Sequence, residues 1–216
     1  MSSLKTIKAS TVILILLLSI GCVSKTESQG KNIKILLDVS GSSPLWNPAF
    51  AQKAGGFLES HIRNLPYLST IEIINFGVFN KTSDDLTFRV TAKPGHQPEE
   101  VGKSVANLIS NIGLWAGKEQ ETSLIGKLEK VAPVLKGGEK IIIVSDFVEE
   151  SSVFNFFHSS GAMPSKPGLL NGTEVVGIGL GVGLRTEAQF ARVKSLWLDW
   201  FKSSGASGVQ LYSDIF

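Results

Sequence analysis

The chain has 216 residues, of which 43% are hydrophobic and 19% charged, enough apolar mass for a real core and too little charge to keep the chain unfolded. Its formal charge of +2 does not mark a nucleic-acid binder, because segment 1–21 holds two of the basic residues, Lys5 and Lys8, and no acid. Without that segment the chain is formally neutral and the counterion-release case for DNA or RNA is gone. A single cysteine, Cys22, excludes an internal disulfide and a Cys-based zinc site.

The first element is an address. Lys5 and Lys8 precede Val12 to Ile20, a run without charge that ends at Gly21 and Cys22. A basic head, a short apolar stretch and a small residue before the cut are the layout of a secretory signal, and the run is half the length a membrane span requires. Ser19-Ile-Gly-Cys22 resembles the lipobox of a bacterial lipoprotein precursor, with Ser19 where Leu is commonest. The resemblance implies cleavage before Cys22, lipid on that cysteine and a place in the cell envelope. Val23, rather than Asp, after the cysteine implies the periplasmic side of the outer membrane in a Gram-negative cell. Residues 22–31 are polar and aperiodic, a flexible tether, and residues 32–216 form one domain.

Within that domain short apolar runs alternate with helical periodicity, the pattern of a mostly parallel open sheet with helices on both faces, a three-layer Rossmann-like α/β fold. Ile33 to Asp38 reads as a central strand. Asn47 and Pro48 cap and open a helix running to about Asn64. Ile71–Phe76 and Leu86–Val90 read as strands joined by a loop over 80–85, an antiparallel pair at one edge. Pro98 opens a second helix with Val101, Val105, Leu108 and Ile112 on one face, and Thr122 to Leu135 is a third. Lys140–Val144 and Val175–Ile178 are strands. Thr186-x-x-Gln189 has capping-box spacing and starts a helix with Phe190, Val193, Trp197 and Phe201 inward and Trp200 at the rim. Val209–Tyr212 is the last strand.

The chemistry concentrates in Asp38-Val-Ser40-Gly-Ser42, at the carboxyl end of the first strand, where open α/β sheets bind ligands. A carboxylate followed by two hydroxyls at two-residue spacing suits a hard cation such as Mg²⁺. Asp146 closes the strand 140–144, and Thr122 or Ser123 brings a hydroxyl to the start of the third helix. Asp-x-Ser-x-Ser, then a Thr at a helix start, then an Asp closing the next strand, resembles the von Willebrand factor A-type domain over roughly Ile33 to the C-terminus. The resemblance implies a metal-ion-dependent adhesion site made of Asp38, Ser40, Ser42, Thr122 and Asp146 and holding Mg²⁺ or Mn²⁺. Ser40, Ser42 and Thr122 would be direct ligands, the two carboxylates would act through water, and an acidic side chain of a protein partner would complete the shell. Phe147 and Glu121 stand where the family usually carries Gly.

Other patterns carry less. Gly102-Lys-Ser104 ends like a P-loop, but Gln97 replaces the first Gly and Pro98, Glu99 and Glu100 read as a helix entrance. Gly177, Gly179, Gly181 and Gly183 recur every second residue, which fails the dinucleotide pattern and suits a strand end passing close to its neighbours. A Mg²⁺-dependent phosphatase or phosphotransferase with Asp38 as nucleophile is the alternative function, although Ser40 stands where that chemistry wants a second Asp; a metal-free structural lipoprotein is the other. His61 and His158 read as packed or partly exposed side chains. Glu149 and Glu150 either shape the crevice or open a helix, and the acidic-first-turn rule favours the helix. The reading of the sequence is a lipid-anchored, non-enzymatic, metal-dependent module that binds a protein and no nucleic acid.

Overall fold

A computed structural model of the chain describes residues 30–76, 87–114, 122–135, 138–164 and 166–214. The signal segment, Cys22, the tether as far as residue 29, the loop 80–85 and Glu121 lie outside the described residues. Six strands form one sheet: β1 (Asn32–Asp38), β2 (Thr70–Phe76), β3 (Thr87–Thr91), β4 (Lys140–Val144), β5 (Glu174–Ile178) and β6 (Gly208–Tyr212). They lie in the order β3-β2-β1-β4-β5-β6. All neighbours are parallel except β2 and β3, whose antiparallel pairing makes β3 the edge. The chain is thus an open, mostly parallel sheet covered on both faces, the α/β class its hydrophobic runs imply.

Two helices pack on each face. On one, α1 (Pro48–Ile62) and α2 (Pro98–Ser110) cover Ile33, Ile35, Leu37, Ile71, Ile73, Ile142 and Val144. On the other, α3 (Leu124–Val131) and α4 (Glu187–Ser203) cover Leu36, Ile74, Ile141, Ile143 and Val175. Alternate residues of β1 and β4 thus feed opposite cores, and for that reason these strands are continuously apolar instead of alternating. Helix starts follow the expected chemistry. The Asn47 side chain accepts from Ala49 and Phe50 N–H. Thr186 Oγ1 accepts from Gln189 N–H, while Gln189 Oε1 accepts from Arg185 N–H.

Two expectations change. The third helix is shorter than 122–135: Pro133 turns its last residues into a 3-10 segment, Ala132–Val134, because proline cannot supply the helical N–H. Trp200 is not at the rim. It is 2% exposed, donates its indole N–H to Pro164 O at 2.8 Å, and packs edge-on against Trp197 and Phe201 at 5.6 and 5.5 Å. The stretch 151–171, which carries no readable periodicity, supplies that acceptor.

The α1–α2 contact is a backbone-to-backbone approach. A Cβ on Gly55 would sit 2.7 Å from Ala106 O, and one on Gly102 3.1 Å from Glu59 O. Gly102, the P-loop lookalike, therefore serves helix packing. Gly56, one residue on, faces open space. Neighbouring substitutions should act with opposite sign in chemical denaturation: Gly55→Val destabilises by about 1–3 kcal/mol through overpacking, and Gly56→Ala stabilises by about 0.5–1 kcal/mol through helix propensity.

Candidate functional site

The strand order reverses between β1 and β4, because the chain leaves β1 towards β2 on one side and returns to β4 on the other. Such a switch point opens a crevice at the carboxyl ends of the two strands. Asp38, the last residue of β1, is fully buried there. Its Oδ1 accepts from Ser40 N–H at 2.8 Å, an Asx-type turn, and its Oδ2 accepts from the Ser145 hydroxyl at 2.6 Å. Its backbone carbonyl accepts from the Ser43 hydroxyl at 2.7 Å, and Ser40 O accepts from the Trp46 indole at 2.6 Å. These bonds fold the Ser40–Ser43 turn back over the strand. The Ser40 and Ser42 hydroxyls lie 3.4 Å apart, with Ser40 buried and Ser42 exposed.

The segment after β4 supplies the second carboxylate. Asp146 is 2% exposed; its Oδ1 accepts from Val148 N–H at 2.9 Å, the Ser42 side chain lies near its carboxylate, and its backbone carbonyl accepts from Gly181 N–H at 2.8 Å. Phe147 takes φ 62°, a left-handed conformation that usually asks for glycine. Packing holds it there. Its ring occupies the space a Cβ at Gly177 would fill, 2.4 Å away, and meets Trp197 edge-on at 5.6 Å, while Phe147 O accepts from Trp197 Nε1 at 2.7 Å. Gly177 of β5 thus makes room for Phe147, while Gly179, just past the strand, lets the backbone pass close to Ser145 O, the close approach of a strand end that the glycine spacing implied.

Glu149 corrects the helix expected at 149–150. No helix starts there; instead its Oε2 reaches across to cap α3, accepting from Leu124 and Ile125 N–H at 2.8 and 3.2 Å. Glu150 N–H donates to Thr122 O at 3.1 Å. Two cross-links therefore tie the start of α3 to the loop after β4. Thr122 is 1% exposed, and its Oγ1 has no hydrogen-bond partner; neither has Glu149 Oε1. Ser123 occupies the N-cap position without bonding the helix through its side chain.

Asp38, Ser40, Ser42 and Asp146 share the crevice, and Thr122 hangs from the same loop. Cys22 lies outside the described residues. Ser145 and Ser43, which motif reading passed over, bond Asp38 from either side, and Glu149, weighed in the sequence as shaping the crevice or opening a helix, ties the loop after β4 to α3. Ser145 had a signal, since it precedes Asp146 at the tip of the central strand. His61 stacks on Phe57 at 4.2 Å and His158 is exposed, so neither approaches the crevice as a ligand. Among the described residues, no group of three or more His, Cys, Asp or Glu is arranged to hold a metal ion; the crevice offers two carboxylates and hydroxyls.

No family model and no curated protein matches this chain. Among solved structures, the pilus adhesin SpaC from Lactobacillus rhamnosus GG, in an open conformation, superposes with a TM-score of 0.44 at 14% identity. The match covers 83% of this chain and 28% of the adhesin chain, so this protein spans under a third of that neighbour.

The two crevice carboxyls, Asp38 and Asp146, and the α3-capping Glu149 are all buried, and the charge of Asp38 acts on the other two. Asp146 is pushed up to about 7, first by burial and then by the negative charge of Asp38. Glu149 is also raised to about 7, chiefly by burial. Burial lifts Asp38 as well, outweighing the bonds from Ser145 and Ser40. Acids whose folded pKa is raised stabilise the fold at low pH and lose that contribution as pH climbs through the folded value. In chelator, the thermal midpoint should therefore be higher at pH 5 than at pH 8, falling as pH rises from the ordinary carboxylate range to about 7 and levelling above it; a flat or rising profile would contradict the burial of these groups.

Proposed function

We propose that this domain is a metal-dependent protein-binding module of the von Willebrand factor A type. The observation that carries the reading is the convergence of Asp38, Ser40, Ser42 and Asp146 at the switch point, with the unpartnered Thr122 oxygen tied to the same loop. An all-oxygen donor set with two carboxylates fits a hard cation such as Mg²⁺ or Mn²⁺. A divalent ion would also offset the mutual repulsion of the acids and satisfy the orphaned hydroxyl. When bound, it supplies an electrophilic point on the surface to which an external carboxylate can attach.

The chain's own residues divide the work. Ser40, Ser42 and Thr122 offer neutral oxygens, which leave the ion's charge unquenched and able to attract an acidic side chain of a partner. Asp38 and Asp146 provide negative charge from behind. Both oxygens of Asp38 already accept hydrogen bonds, which suits action through water. The same engagement speaks against a phosphatase with Asp38 as nucleophile, because an attacking carboxylate needs a free oxygen facing its substrate. For the N-terminal segment we propose lipid attachment at Cys22 and a place in the cell envelope, supported by the lipobox layout of residues 19–22. Among the described residues no helix is long and apolar enough to cross a membrane.

Titration with Mg²⁺ at pH 8 should raise the thermal midpoint, since a ligand that binds only the folded state at 100 times its Kd stabilises by about 2.7 kcal/mol. Asp38→Ala, Ser40→Ala and the near-isosteric Thr122→Val should each weaken Mg²⁺ at least ~10-fold, about 1.4 kcal/mol, while the variants stay folded. Calorimetry showing unchanged affinity in all three would refute the metal site. Turnover of an aryl phosphate by the parent, abolished in Asp38→Ala, would favour the phosphatase.

A further inference from the structure

The turn Pro66-Tyr67-Leu68 lies at the end of the sheet opposite the oxygen cluster, just before β2. Leu68 has φ 67° and is 68% exposed, and Tyr67 is 50% exposed. A leucine here is unfavourable twice over, once for left-handed backbone without glycine and once for an apolar side chain in water. The turn is nevertheless firmly held: Leu68 N–H donates to Ala92 O at 2.6 Å and Ala92 N–H to Ser69 O at 2.8 Å. Strain and apolar exposure maintained in a well-bonded turn, with no return inside the domain, point to a contact outside it.

The route of the chain identifies the contact. Gly30 lies against this turn, so that a Cβ on it would come within 2.3 Å of Leu68 O. Lys31 N–H donates to Ser69 Oγ at 2.9 Å, and Thr70 N–H donates to Lys31 O at 2.9 Å. The segment leading back to Cys22 therefore leaves the domain beside Tyr67 and Leu68. Between Cys22 and Gly30 lie residues 23–29, which extend at most roughly 25–30 Å. Lys31, bonded to Ser69 and Thr70, and Lys93, the residue after Ala92, are both exposed beside the turn.

We propose that the Tyr67–Leu68 turn is a foot that rests on the lipid bilayer, with Tyr67 and Leu68 entering the interfacial layer and Lys31 and Lys93 meeting anionic headgroups. The inference rests on the lipid-anchor reading of Cys22. A tyrosine suits the membrane–water boundary and lysines suit an anionic surface. Two shallow side chains suffice because the short tether keeps the local bilayer concentration high. The foot also sets direction. The oxygen cluster sits at the far ends of parallel strands, roughly 20 Å up from the foot, so the domain would stand with its binding crevice turned away from its own membrane.

The test uses the full chain, processed and lipidated at Cys22, in vesicles of phosphatidylethanolamine and phosphatidylglycerol, with an environment-sensitive dye on His96→Cys near the foot or on Leu114→Cys at the opposite end. Lipids carrying a shallow nitroxide quencher should quench the dye at 96 at least ~2-fold more than the dye at 114. Adding Tyr67→Ser with Leu68→Gly, the glycine relieving the left-handed backbone, should bring 96 down to the level of 114 without lowering the thermal midpoint. Equal quenching at the two sites in the parent, or quenching at 96 that survives the double substitution, overturns the foot and leaves the anchor standing. Mass spectrometry showing no lipid on Cys22, with the protein absent from the vesicle fraction, overturns the anchor and the foot together.

Discussion

The hydrogen bond from Ser145 to Asp38, at 2.6 Å, joins the tips of β1 and β4 across the point where the sheet changes direction. It holds an acid in a place where acids are costly. Asp38 is fully buried, with Asp146 and Glu149 buried nearby, and burial and mutual repulsion favour protonation of all three. The crevice can be relieved by protons or by a cation. That choice couples the crevice to the stability of the fold, since Asp38 and Asp146 belong to both.

The surrounding loops are built to keep this arrangement. Phe147 occupies a backbone conformation that suits glycine, and the strain is tolerated because its ring fills the space left by Gly177 and meets Trp197. The aromatic core beneath α4 thus fixes the direction in which Asp146 leaves β4. Glu149 performs a related task on the other side, because its carboxylate caps α3 and so sets where Thr122 hangs. An acid in the crevice, a helix start and a candidate ligand are mechanically one unit.

The two ends of the sheet have different characters. The carboxyl ends of the parallel strands gather buried oxygens around the exposed Ser42. The opposite end gathers the chain's entry at Gly30 and the exposed Tyr67 and Leu68. With the tether and the binding crevice as proposed, the direction of the parallel strands sets the orientation of the domain.

The α/β class, the strand limits to within a residue or two, the antiparallel edge and the caps at Asn47 and Thr186 were legible from the sequence, because they depend on local periodicity and on bonds between residues near in the chain. Asp38, Ser40, Ser42 and Asp146 were legible as a group because strand ends in such sheets must face one crevice. Tertiary structure alone decided the rest. Glu149 looked like a helix opener and became a cap on α3, because the N–H groups it satisfies lie some 25 residues away. Trp200 looked like a rim residue and is core, since its indole acceptor comes from the aperiodic stretch before β5. Phe147 holds a left-handed backbone that suits glycine, and only the gap at Gly177 explains how it is accommodated. Periodicity tells which face of an element is apolar; it does not tell which distant group will meet a particular donor or fill a particular space.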